Sequence, residues 1–296
     1  MSATVTDATV SRTTSGSRTK ALVLGGGGSV GTAWQTGLIA GWNQHGIDLT
    51  DADLIVGTSA GAAVGVQVAL GHELDRQLDR YRAARARHEA GQATAVLNFD
   101  PEQTRRVNEL FLRGHDIGRF DKGVREEICR AAREASTISE EQFLTTFKYL
   151  KGAQWPANYV CTTVDVDSAE FVALDHSIGG ELDHGVAAAV AVPAVYPPIT
   201  VAGRRYIDGG CLSPTHLDLA AGYDRILFVQ MTEVPQFELD AVKQSGAVLH
   251  AIEPDAASVA AFGGNLMNAG AAFDAAERGL EQGLSSAEQI ATFWRS

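Results

Sequence analysis

Lys20-Ala-Leu-Val-Leu24 runs into Gly25-Gly-Gly-Gly-Ser-Val-Gly31, and Asp53-Leu-Ile-Val56 runs into Gly57-Thr-Ser-Ala-Gly61. Each stretch is a short apolar run, then a glycine turn, then residues with helical spacing. After the first turn a helix is expected from near Thr32, with Trp34, Leu38, Ile39 and Trp42 on one face and Gly46 at its end. After the second, small residues carry a helix from Ala60 to about Gly71. Strand, turn and helix therefore occur twice in succession. Parallel strands need such crossovers, so this unit predicts an α/β fold around a mainly parallel sheet.

Further along, residues 72–151 read as helical and charged, with no strand signal, and are expected to form a helical insertion covering one end of the sheet. Asp100-Pro101-Glu102-Gln103 and Ser139-Glu-Glu-Gln142 both order an N-cap ahead of a glutamine at the third helical position. Strand signals return at Asn158 to Val164 and Glu170 to Leu174, followed by a small-residue helix from Leu182 to Val192. Arg205-Tyr-Ile207 leads into Asp208-Gly209-Gly210, Asp224 to Val229 reads as a buried strand, and the chain from Pro254 on is alanine-rich helix. Residues 1–19, rich in Ser, Thr and Ala, are expected to be a flexible tail, and residues 20–296 one domain.

Composition narrows the function. Among 296 residues, 36 acidic side chains stand against 24 basic ones, a formal net charge of −12. A general nucleic-acid binder needs the opposite balance, and an anionic membrane would repel this chain at long range. No run is long enough or apolar enough for a spanning helix, and no signal-peptide pattern is visible. Three widely spaced cysteines, Cys129, Cys161 and Cys211, suggest neither a disulfide framework nor a zinc ribbon, so a reducing, cytoplasmic setting is expected.

The Gly-x-Ser-x-Gly of residues 57–61 is weak evidence alone in a chain with 31 glycines. Its setting sharpens it, because a strand entering and a helix leaving are what a nucleophile elbow requires. The helix would point its positive end at Ser59. The plain alternative is an ordinary βα turn with a serine at the helix start. Gly25 to Gly31 could supply converging N–H groups for an oxyanion, and adjacent strands would bring that loop against Ser59. Gly26-x-Gly28-x-x-Gly31 is also a dinucleotide fingerprint, but the far end of the second strand carries the serine motif where a ribose-binding carboxylate belongs.

For the base, Ser59, Asp224 and His250 would satisfy a Ser…Asp…His order. Asp224 precedes its strand, however, and His250 lies in the apolar stretch Ala247 to Ile252, where a core histidine is the commoner outcome. Asp208, after a short strand and opened by two glycines, is the better candidate. Burial beside Ser59 would raise its pKa from about 3.9 toward a useful range. An aspartate in a hairpin turn reads equally well on spacing alone. Arg76, Arg80, Arg82, Arg85 and Arg87, a basic patch interleaved with Asp79 and flanked by Glu73 and Glu89, read as a solvated helix face before a membrane contact, and Asp165 and Asp167 read as a turn before a calcium site. His176, His184 and His216 lack metal-ligand spacing. Leu110, Phe111, Phe143 and Phe147 read as core before acyl channel.

Taken together, the loop 24–31, the motif 57–61, Ala191-Val-Pro-Ala-Val-Tyr-Pro-Pro198 and Asp208-Gly-Gly210 resemble the patatin-like phospholipases in order and approximate distance, over about residues 20–230. The resemblance implies a three-layer α/β/α fold, a Ser59–Asp208 dyad without histidine, and an oxyanion hole from Gly26, Gly27 and Gly28. It also implies supporting roles for Gly25, Gly31, Gly57, Gly61, Gly209 and Gly210, and hydrolysis of lipid acyl esters with no metal or other cofactor. Transient contact with a membrane surface would then accompany an acyl-ester substrate. Val30 stands where the family loop usually carries Arg or Lys. The same serine would also serve an acyltransferase or thioesterase on a soluble acyl donor, and a weakened site would leave a lipid-binding or regulatory protein.

Overall fold

The computed structural model describes residues 19–90 and 122–295. The expected tail up to residue 18, the capping sequence at 100–103, Leu110 and Phe111 lie outside them. Five strands, β1 (Lys20–Leu24), β2 (Leu54–Gly57), β3 (Tyr159–Asp165), β4 (Phe171–Leu174) and β5 (Ile199–Val201), are followed by β6 (Arg204–Asp208), β7 (Arg225–Val229) and β8 (Val248–Ile252). They form one sheet in the order β5-β6-β3-β2-β1-β7-β8, with β4 also on β3. The run β3-β2-β1-β7-β8 is parallel, and β4, β5 and β6 add antiparallel pairs.

The pleat sorts side chains between two cores. Leu22, Leu24 and Ile55 face α1 (Gly28–Gln44), α2 (Ala60–Ala69) and the long helix closing the chain, whereas Ala21, Val23, Leu54, Val56, Ile226 and Phe228 face the opposite layer. The architecture is α/β/α around a mainly parallel sheet, as the strand–turn–helix repeat requires. Helix α1 starts at Gly28, four residues before Thr32, and is buried on every side from Val30 to Trp42. The reason lies at the other end of the chain. A Cβ on Gly37 or Gly279 would stand 2.0 Å or 2.1 Å from a carbonyl oxygen of the facing helix, so the two helices touch backbone to backbone.

The described helices of the charged stretch do not gather at one end of the sheet. α3 (Asp75–Glu89) packs against α1 and the C-terminal helix, with Arg82 and Arg85 paired to Glu277 and Asp274. α4 (Lys122–Glu134) packs Ile128 and Cys129 against Val164 and Ile207. α5 (Glu140–Leu144) carries the Ser139–Gln142 capping box, and its Phe143 stacks on Tyr196 at 4.3 Å. Phe143 and the neighbouring Phe147 are core. After these come α6 (Leu182–Ala189), α7 (Gln236–Ser245), α8 (Ala256–Phe262) and α9 (Ala272–Arg295). Among the described residues no helix is long and apolar enough to cross a membrane. All three cysteines are buried and free.

Candidate active site

Sheet register brings the two halves of the site together. Leu24 pairs with Gly57, and Gly57 with Cys161, so β1 and β2 end at one level while β3 runs on past them. Two residues further along β3, Thr163 pairs with Asp208 on the returning antiparallel strand. Ser59, two residues past Gly57, therefore emerges at the level of Asp208. Thr162 and Thr58 tie the strand ends with a hydroxyl–hydroxyl bond of 2.9 Å.

The turn at Ser59 is sharp for steric reasons visible in its glycines. A Cβ on Gly61 would lie 2.0 Å from the Leu24 carbonyl oxygen, and one on Gly57 would lie 2.5 Å from Cα of Ala62. Ser59 itself sits at φ 51°, ψ −117°, a region side chains avoid and functional residues are often held in. Helix α2 starts at the next residue, aiming its N-terminal end at the serine.

Asp208 is 3% exposed. Its carboxylate accepts the Gly210 N–H at 2.8 Å, and the Ser59 hydroxyl lies beside it. Burial pushes its pKa up to about 7, against the opposing pull of the Ser59 hydroxyl and the Gly210 amide. Gly209 is required because a Cβ there would meet Thr162 Oγ1 at 2.5 Å. Thus the candidate dyad residues meet, and no histidine stands between them.

The glycine loop faces the same spot. A Cβ on Gly26 would be 3.5 Å from Cβ of Ser59. Gly26 nonetheless cannot donate to an oxyanion as expected, because its N–H already donates to the Pro214 carbonyl at 2.8 Å. Gly25 likewise donates to Val229, Val30 to Leu266, and Gly31 back to Gly27. The amides at the mouth of α1, Gly27, Gly28 and Ser29, are the ones left to serve, and the expected Gly27 and Gly28 are among them. The half-buried side chains of Met231 and Met267 border these two glycines, beside the Leu266 carbonyl, so the loop has an apolar rim of two methionines. Val30 is buried in the main core, leaving no room for the cation that position usually carries.

Other candidates fall elsewhere. His250 lies on β8, three strands across from β2, about 14 Å at the usual strand spacing, and packs on Phe293. Asp224 takes the Thr19 N–H and hydroxyl at the opposite, N-terminal end of the parallel strands. Asp165 caps its own turn through the amides of Asp167 and Ser168 and holds Arg204 at 2.7 Å, the arrangement of a turn. Two acidic groups with a histidine come close enough to hold a cation, Glu181–Asp183–His184 and His216–Asp218–Glu238. In the second, hydroxyl and amide donors already occupy both Glu238 oxygens.

Spacing arguments miss Gln35, whose amide donates to the Gly25 carbonyl at 2.7 Å, and they miss Pro214, His216 and Glu238. Each acts through tertiary contact, and none belongs to a local pattern.

A family model described as Patatin-like phospholipase matches residues 22–221 of the chain. VipD from Legionella pneumophila is a similar solved structure, at 11% identity and a TM-score of 0.47, covering 92% of this chain and 67% of that one. No curated protein sequence matches.

Proposed function

The chain belongs to the patatin-like phospholipase family, whose members act on lipid esters, and we propose from that premise that Ser59 and Asp208 cleave fatty-acyl ester bonds here. The observation that carries the reading is the placement of the strained Ser59 beside the buried Asp208, close enough for its hydroxyl to pull the Asp208 pKa down.

Asp208, ionised, takes the hydroxyl proton as Ser59 Oγ attacks the ester carbonyl. The carbonyl oxygen becomes an oxyanion held by the Gly27 and Gly28 amides, with the N-terminal ends of α1 and α2 adding positive field. The tetrahedral adduct collapses, the alcohol or lysolipid leaves with the proton from Asp208, and an acyl-serine remains. Water, deprotonated by Asp208, then releases the fatty acid and restores the serine. A base with pKa about 7 suits this exchange, since it both accepts and returns the proton near neutral pH. The apolar rim of Met231 and Met267 suits an acyl chain, because methionine adapts to irregular apolar shapes. Three free, buried thiols fit work in a reducing cytoplasm.

A panel of phosphatidylcholine, triglyceride, p-nitrophenyl esters and acyl thioesters, run with wild type and Ser59→Ala, tests the substrate class. Ser59-dependent release of fatty acid from the glycerolipids is expected. Turnover of thioesters without glycerolipids would replace the lipase reading with a thioesterase or acyltransferase.

A further inference from the structure

Glu238, in the first turn of α7, is fully buried, and no step of the reaction above uses it. A glutamate on a surface helix ordinarily reaches water, and burying one without partners is costly. Here the partners all come from one turn, 213–217. Oε1 accepts the Ser213 hydroxyl, and Oε2 accepts the Thr215 hydroxyl at 2.6 Å and the Leu217 N–H at 2.7 Å. Ser213 Oγ, while donating to Glu238, accepts the Thr215 N–H at 3.2 Å.

The turn held this way reaches the site at two points. Its Pro214 carbonyl accepts the Gly26 N–H at 2.8 Å, which fixes the glycine loop beside Ser59. Its His216, in left-handed backbone at φ 49°, puts Nε2 3.1 Å from the Gly209 carbonyl, one residue past Asp208. A carbonyl only accepts, so Nε2 carries the proton. Burial lowers the pKa of His216 and keeps the ring neutral, and Phe171 stacks on it at 4.5 Å. Asp218 completes the set of titratable groups around Glu238.

We propose that Glu238 is a positioning residue: through the 213–217 turn it sets the placement of the glycine-loop donors relative to Asp208. The proposal rests on the Ser59–Asp208 reading given above. Glutamine at this position keeps the size but removes the charge and turns one oxygen into a donor, so the hydroxyls and amide that converge on the carboxylate can no longer all donate to it.

The test is p-nitrophenyl butyrate hydrolysis by wild type, Ser59→Ala, Glu238→Gln and Thr215→Val, with rates taken per folded molecule. Glu238→Gln is expected to lower kcat roughly tenfold or more with KM within about twofold, because donors and base drift while the acyl contacts stay. Thr215→Val, which removes one donor to the carboxylate, should fall between wild type and Glu238→Gln. A purely structural glutamate would lower the melting temperature and leave kcat unchanged. Folded Glu238→Gln with kcat within about twofold of wild type overturns the positioning role and leaves the dyad standing. If Glu238→Gln fails to fold, Thr215→Val decides by the same criterion. Wild type without Ser59-dependent turnover overturns the dyad reading, and this inference with it.

Discussion

Ser59 occupies a backbone conformation that costs a non-glycine residue on the order of 1–3 kcal/mol. Asp208 is also held against its own preference, since burial raises its pKa to about 7. The carboxyl binds its proton more tightly folded than unfolded. Folding therefore gains most below the unfolded value near ~3.9 and loses that contribution as pH rises toward about 7. Asp208→Asn, which never ionises, should melt above wild type at pH 8, by up to roughly 4 kcal/mol, with the gap closing toward pH 4. Thermal scans at the two pH values check this, and an equal or lower melting temperature at pH 8 counts against a strained carboxylate. The same variant and Ser59→Ala should each lose about a thousandfold or more in kcat. At this scale the serine was legible from its glycines and flanking apolar runs. Asp208 was legible only as one of two equal readings, because a lone Asp-Gly-Gly does not say which strand it will face.

Elements explain why the motif glycines are not interchangeable. Gly61 touches Leu24 across the elbow, whereas Gly279 touches Trp34 across the α1–α9 contact, nearly two turns along α1 from Gly28. Alanine at either should destabilise by about 3 kcal/mol, since overpacked backbone contacts cannot relax cheaply. Gly61→Ala should also lose ester turnover per folded molecule, while Gly279→Ala should keep it. Paired melting curves and initial rates separate the two, and loss of turnover in Gly279→Ala would mean that α9 does more than pack. Strands β1, β2, β3 and β7 were readable because buried parallel strands are continuous apolar runs. β5 escapes because it has three residues behind two prolines, and β8 because it is an edge strand with polar His250 at its centre. α7 resembles an ordinary solvated helix in sequence. Only the fold puts its Glu238 under the 213–217 turn, so the support of the site was invisible where its chemistry was not.

The whole molecule carries −12, and Arg82 and Arg85 of α3 are answered by acids on α9 and on α3 itself. A net charge of that sign repels anionic lipid at long range. Co-sedimentation should show no more protein on phosphatidylglycerol vesicles than on phosphatidylcholine vesicles at low salt. Enrichment on the anionic vesicles that falls with added salt would contradict this. Whatever the surface does, the central claim concerns one serine and one carboxylate. Its most direct measurement is labelling with a fluorophosphonate probe, followed by peptide mass spectrometry across a pH series. A single adduct on Ser59 is expected, forming more slowly as pH falls below about 7 and nearly absent in Asp208→Asn. No adduct at any pH, an adduct on another serine, or undiminished labelling in Asp208→Asn would contradict it.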